Sequence, residues 1–332
     1  MYIKISDLSK SFKMFKRSAG LRGALKSFFN RKYSHFFALK NINLDLESGE
    51  ILGILGENGA GKTTLIKLIV GLLYPTNGDV NVNGYNPWNR NHEYLIRVSV
   101  VMGQKNQLWW DIPASESFLL NKHIYQIEDS EFEYTMNELV DLLDVRDKLD
   151  VQVRRLSLGE RMKMEIIAAL LHKPSLILLD EPTLGLDVIS QSKIRDFVRY
   201  YNKEYGATFI ITSHYTKDIQ EMCERVLVLH KGSQMYDGKF NDLIKAINPK
   251  RRLFFEFNED ADQSSLAELK STYNFEVNNN ILTAELPESD LKSLLLRLLD
   301  KFSPISMSFE DLPVEETMRS FFINPDQYLN ND

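Results

Sequence analysis

Residues 56–63, GENGAGKT, constrain this chain more than any other stretch. They follow the apolar run ILGIL and open the run LIKLIVGLL. The pattern G-x-x-x-x-G-K-[ST] between a strand and a helix is a phosphate-binding turn. Glycines let backbone N–H groups turn inward around phosphate oxygens. A helix start adds its positive end. The expected cradle is Gly56, Glu57, Asn58, Gly59, Ala60, Gly61, Lys62, Thr63 and Thr64. Lys62 brings a point charge to the β and γ phosphates, and the Thr63 hydroxyl suits Mg2+. A fold holding this turn needs a strand and a helix in series, hence an α/β sheet.

A second signal is SLILLDEP. A continuous apolar run ending in Asp180 and Glu181 reads as a buried parallel strand that delivers two carboxylates to the sheet edge bearing the phosphate turn. Asp180 is the expected metal ligand. Glu181 is placed to contact a water in line with the γ-phosphate as general base. Strands and helices alternate from there to about Phe240. Between about 106 and 171 the pattern is helical instead.

After NPKRR the order changes to strand-helix-strand-strand-helix-strand, then a last helix, VEETMRSFF. That order predicts a small ferredoxin-like α+β module. The expected division is 1–240 and 241–332, with a linker at about 241–251 and a basic insertion at about 13–36. The residues GDVNVNGYNP read as a pair of short strands.

Between the two carboxylates and the phosphate turn lies LSLGE, residues 156–160. It resembles the LSGGQ signature of ABC-type ATPases. Gln104 in VVMGQKNQ stands where that family has its Q-loop glutamine. TLGLD resembles the D-loop and ends at Asp187. ITSHY puts His214 at the switch histidine. The surroundings of GQKNQLWWDIP look most like the branch serving ABC-2-type exporters. The resemblance covers most of residues 1–240 and implies a P-loop NTPase ABC ATPase domain with a helical subdomain.

It implies ATP as substrate, with Mg2+ held by Thr63, Asp180 and Gln104. It implies catalytic roles for Glu181, His214 and Gln104. Two ATPase domains would close head to tail, so that Ser157, Gly159 and Asp187 of one subunit reach the site of the other. Leu158 and Glu160 depart from the family's usual glycine and glutamine. One motif set per chain suits a homodimer, with a heterodimer left open. Partners would be integral membrane permease subunits, placing the chain peripherally at the cytoplasmic face of the cell membrane. Adenine is expected on Phe12, with Tyr33, Phe36 and Phe37 as competitors. Leu108, Trp109 and Trp110 read either as an anchor for a membrane subunit or as packing inside the helical subdomain.

The chain is acidic, with formal net charge -6, yet no Asp or Glu occurs between Asp7 and Asp45. Leu21, Ala24, Leu25, Phe28 and Phe29 share one helical face, with Arg22, Lys26 and Arg31 off it and Ser18 as a cap. A basic amphipathic helix at 18–31 suits an anionic lipid surface or a partner, or packing on its own domain. Nucleic acid is not the expected partner of so acidic a chain. A soluble ABC ATPase serving an assembly or nucleic-acid-associated complex is the alternative. The single cysteine, Cys223, excludes a disulfide framework. No apolar run is long enough to span a bilayer.

Overall fold

The computed structural model describes residues 2–15, 33–103, 106–247, 250–258 and 263–323. They fall into two compact units, Met1–Phe240 and Asn241–Asp332.

The first unit carries nine strands, β1 (Ile3–Phe15), β2 (Tyr33–Leu46), β3 (Ile51–Leu55), β4 (Asn77–Val82), β5 (Val98–Met102), β6 (Leu176–Asp180), β7 (Thr208–Ser213), β8 (Arg225–His230) and β9 (Ser233–Lys239). Their order in the sheet is β4-β1-β2-β9-β8-β3-β7-β6-β5. The run β8-β3-β7-β6-β5 is parallel throughout. Every residue of β6 and β7 is buried, because helices cover both faces of a parallel sheet. The flank β4-β1-β2 is antiparallel. It joins the rest of the sheet through one pairing, Lys40 opposite Ser233 on β9, which runs antiparallel to β8 at the border of the parallel core.

The helices of this unit are α1 (Lys62–Ile69), α2 (His92–Leu95), α3 (Ala114–Tyr125), α4 (Asp129–Leu143), α5 (Leu158–Leu170), α6 (Val188–Tyr205) and α7 (Thr216–Met222). In α1, Leu65, Ile66, Leu68 and Ile69 are fully buried in the same core as Ile3, Ile54 and Leu178. Burying each such side chain contributes about 1.5–3 kcal/mol. Helices α3, α4 and α5 occupy the region read as helical.

Three local expectations change. The hairpin β1–β2 runs on through Lys13↔His35, Met14↔Ser34 and Phe15↔Tyr33, so the insertion is shorter than 13–36. The amphipathic segment 18–31 lies outside the described residues. The stretch GDVNVNGYNP makes one strand, β4, which pairs with β1, and then a single bridge between Val82 and Tyr85. Asn86 caps a short 3-10 turn at Pro87–Asn89 there, because its side chain accepts the Trp88 N–H and removes the turn from the sheet. The expected linker is largely α8 (Phe240–Ile247), with Phe240, Leu243 and Ile247 buried at helical spacing.

The second unit contains β10 (Lys250–Phe257), α9 (Gln263–Thr272), β11 (Phe275–Asn278), β12 (Ile281–Pro287), α10 (Glu288–Lys301), β13 (Pro304–Asp311) and α11 (Val314–Ile323). Its sheet order is β11-β12-β10-β13, antiparallel at every pairing. This is the ferredoxin-like arrangement, with two βαβ halves interleaved. Leu253, Phe255 and Phe257 of β10 alternate into a core with Leu282, Leu291, Leu294 and Leu298.

Candidate functional site

The site forms where β3 and β6 end. Past Leu55 the chain turns through the glycine-rich loop into α1. Gly61 sits at φ 112°, a conformation that L side chains rarely adopt, and an added Cβ would lie 2.6 Å from the Ala38 carbonyl oxygen. Lys62 is buried, and its Nζ donates to the Gly56 carbonyl at 2.7 Å and the Glu57 carbonyl at 3.3 Å. Burial lowers its pKa, opposed by the charges of Glu181 and Asp180.

Asp180, the last residue of β6, spends both carboxylate oxygens. Oδ2 accepts from the Thr63 hydroxyl at 2.8 Å, and Oδ1 accepts from the Thr212 hydroxyl at 2.6 Å. Glu181 then leaves the strand at φ 55°, left-handed and costly for a residue with a Cβ. Its N–H donates to both the carbonyl and the hydroxyl oxygen of Thr212, at 3.1 and 3.0 Å. Those bonds aim the carboxylate back over the loop. Glu181 Oε1 lies 3.6 Å from Lys62 Nζ and 3.5 Å from His214 Nδ1.

These groups open into one cleft of about 570 Å³, shared by Phe12, Phe36, Lys62, Thr63, Glu181 and His214. Phe12 and Phe36 face each other across the β1–β2 hairpin, and both are exposed. Asn58, Gly59, Gly61 and Thr64 also line the cleft. Thr63 Oγ1 and the Asp180 carboxylate are hard oxygen donors of the kind Mg2+ takes alongside phosphate oxygens. Gln104 lies outside the described residues, directly after Gly103, whose N–H donates to the Asp180 carbonyl at 3.0 Å.

Ser157 caps α5. Its hydroxyl accepts the Glu160 N–H at 3.2 Å, while the Glu160 carboxylate accepts the Ser157 N–H at 2.8 Å. Ser157-x-x-Glu160 is thus a complete capping box. The Ser157 backbone N–H, assisted by Lys148 at 3.5 Å, holds the Glu160 carboxyl below its ordinary value. Asp187 caps α6 in the same way, accepting from the Ser190 N–H at 2.9 Å and the Ser190 hydroxyl at 2.7 Å. The two caps abut within the chain. A Cβ on Gly159 would lie 2.4 Å from Ser190 Oγ.

Sequence reasoning missed two supports. Glu165, buried on α5, accepts from the N–H of Gln107 at 3.0 Å and of Leu108 at 3.4 Å, tying the segment after Gln104 to the signature helix. Burial pushes its carboxyl up, against those N–H donors. Asp218, buried on α7, pairs with Arg195 at 2.9 Å and accepts from the Thr183 and Ser213 hydroxyls. It therefore joins the loop before Asp187 to the strand before His214. Glu160 itself was visible as the fourth residue of a Ser-x-x-Glu box. For Glu165 and Asp218 no local pattern distinguishes them from surface helix residues. The run Leu108-Trp109-Trp110 divides: Leu108 is buried, Trp110 stacks 5.2 Å from the Arg161 guanidinium, and Trp109 is 60% exposed.

Residues 39–184 match the family model described as ABC transporter. The ABC transporter ATP-binding protein NatA of Bacillus subtilis (strain 168) is 34% identical over 209 residues, 63% of this chain and 85% of that protein. The bacitracin transport ATP-binding protein BcrA of Bacillus licheniformis is 30% identical over 227 residues, 68% of this chain and 72% of that protein. Proteins named for methionine import match at 29–31% identity. The dimeric post-hydrolysis structure of the ATP-binding cassette MJ0796, bound to ADP and Pi, superposes with a TM-score of 0.60 at 25% identity, over 71% of this chain and 98% of that one. With such kinship, and a family match that takes in Lys62, Thr63, Asp180 and Glu181 of the cleft, this chain belongs to the ABC transporter ATP-binding proteins and is an ATPase subunit of that family.

Proposed function

We propose that this chain energises export through separate ABC-2-type membrane subunits, by closing on ATP with a second ATPase subunit. The observation that carries the catalytic part is the placement of Glu181 Oε1 between Lys62 Nζ and His214 Nδ1. ATP's phosphates would lie on the loop 56–63, Lys62 meeting the β and γ groups. Thr63 and Asp180, with Gln104, would hold Mg2+, which supplies positive charge against the phosphate oxygens. Glu181 takes the proton of the attacking water, and His214 steadies that water and the γ-phosphate. Phe12 offers a stacking face to adenine. Phe36 shares the cleft with it.

Ser157, Gly159 and Asp187 would serve the site of the opposite subunit. The dimeric state of MJ0796 supports that reading. Among the described residues no helix is long and apolar enough to cross a membrane. Membrane attachment would therefore come through partners. Exposed Trp109, and a groove of about 380 Å³ lined by Leu72, Ile96 and Ile124, are apolar surfaces of the kind partners cover. The names of NatA and BcrA, an ABC transporter ATP-binding protein and a bacitracin transport ATP-binding protein, support the transporter part of this reading.

Glu181→Gln should bind ATP while turnover falls about 100-fold or more. Near-normal phosphate release would remove Glu181 as the base. The same variant, tagged and recovered in mild detergent with ATP, should bring along multi-spanning membrane proteins. Their cargo, followed in inverted vesicles, decides between export and import. Recovery of soluble partners alone would replace the transporter reading with a soluble ABC ATPase.

A further inference from the structure

Strand β13 is exposed at every one of its eight residues, Pro304 to Asp311. It is an edge strand: β10 pairs with one side, and no strand follows it in the sheet among the described residues. Its outer row of N–H and C=O groups is a template for another strand. Soluble proteins blunt such edges with lysine, internal proline or bulges. Between Ile305 and Phe309 this strand carries none of the first two, and its register shift sits at its start, beside Pro304.

Side chains sharpen the point. Met307 lies opposite Phe255 and Phe309 opposite Leu253. Paired residues of an antiparallel ladder share a face. Met307 and Phe309 therefore stand on the core face of the sheet, where Phe255 and Leu253 are fully buried. Ile305, two residues before Met307, is the extra residue that the register shift leaves between Pro304 and Ser306. Yet Ile305 is 60% and Met307 53% exposed. The apolar face continues one strand past its cover. The other face of β13 is polar, with Ser306 bonded to Glu256 at 2.7 Å.

We infer that β13 pairs with β13 of a second copy of this chain, antiparallel about a two-fold axis at Met307. In that register Met307 meets Met307 of the second copy, Ile305 meets Phe309, and Ser306 meets Ser308. Pro304 meets Glu310, so no carboxylate faces another. Apolar residues pair with apolar ones, and serines with serines. The strand is complementary to itself, as an isologous contact requires. A different partner would need no such palindrome. The contact requires no nucleotide, and its failure would leave the reading of the ATP site untouched.

The test uses the full chain, without nucleotide and with chelator present, by sedimentation at tens of micromolar. The parent should be a dimer. Met307→Lys sets like charges opposite one another and should weaken the dimer about tenfold or more, as should Met307→Glu. Mixing the two variants should restore it as a heterodimer. A separate variant, Met307→Cys, adds an exposed thiol, since Cys223 is buried. Under mild oxidation it should cross-link readily, and Ser308→Cys far less. A monomeric parent, a dimer indifferent to both charged variants, or no cross-link at Met307→Cys would each overturn the inference. A monomer whose β13 amides resist hydrogen exchange would overturn it too, by placing a segment of the same chain on that edge.

Discussion

The two units bury different kinds of atoms. In the first, Lys62, Glu165, Asp180, Thr183, Arg195 and Asp218 are all nine-tenths or more buried, each against named partners. In the second, Thr317 is the single buried polar residue among those described. Its charged groups pair at the surface instead, as Arg252 does with Glu285 and Arg251 with Asp311. Taking polar groups out of water costs free energy unless every bond is remade. A unit that accepts this cost repeatedly, around the ends of β6 and β7, is holding chemistry in place. A unit that avoids it is organised for shape, and its remaining resource is the surface it leaves apolar.

The sharpest way to break this contrast is Asp218→Ala. It leaves the buried Arg195 with Glu221 alone, at 2.7 Å, and takes the acceptor from the Thr183 and Ser213 hydroxyls, so the first unit should lose about 3 kcal/mol, read from its urea midpoint. A loss below 1 kcal/mol would mean the buried network is not structural. Gly159→Ala drives a methyl into Ser190, and about 1–3 kcal/mol of overpacking is expected. Ser190→Gly on the same chain should return part of it.

Glu165→Gln sharpens the comparison through pH. Burial raises the folded-state pKa of Glu165 above its unfolded value. Its contribution to stability is therefore full below the unfolded carboxyl pKa, about 4.3, and is lost as pH rises through the raised folded value. The Gln variant does not titrate. Its stability relative to the parent should grow over that window in urea titrations, and a flat difference would exclude the buried carboxylate as the cause. Smallest of all, Glu285→Ala should cost at most about 1 kcal/mol, because its partner Arg252 sits at the surface. Parent-like ATP turnover is expected there as well.

The chemistry was legible in sequence to the extent that it is local. A phosphate loop and a strand ending in Asp-Glu need neighbours along the chain, and both stand where the residues imply. The strand and helix order of the second unit followed from its period. What was not legible depends on distant partners. Strand β9 alternates weakly, since its seven residues, SQMYDGK, are never fully buried. Its conformation comes from pairing with β8. Asp218 acquires its meaning from Arg195 and Thr183, on a different helix and a different loop. The apolar residues of α8 were visible at helical spacing, and the nearby NPKRR drew the reading toward a linker.

One pairing between β2 and β9 separates two kinds of recognition. Phe12 and Phe36 ride on the antiparallel hairpin, whereas Lys62, Asp180 and Glu181 belong to the parallel core. Lys40 crosses from one to the other, its N–H donating to the Gly232 carbonyl at 2.8 Å. Under the proposed adenine contact, substitutions of the exposed Phe12 and Phe36 side chains act on the base and leave the strand that carries Asp180 in place.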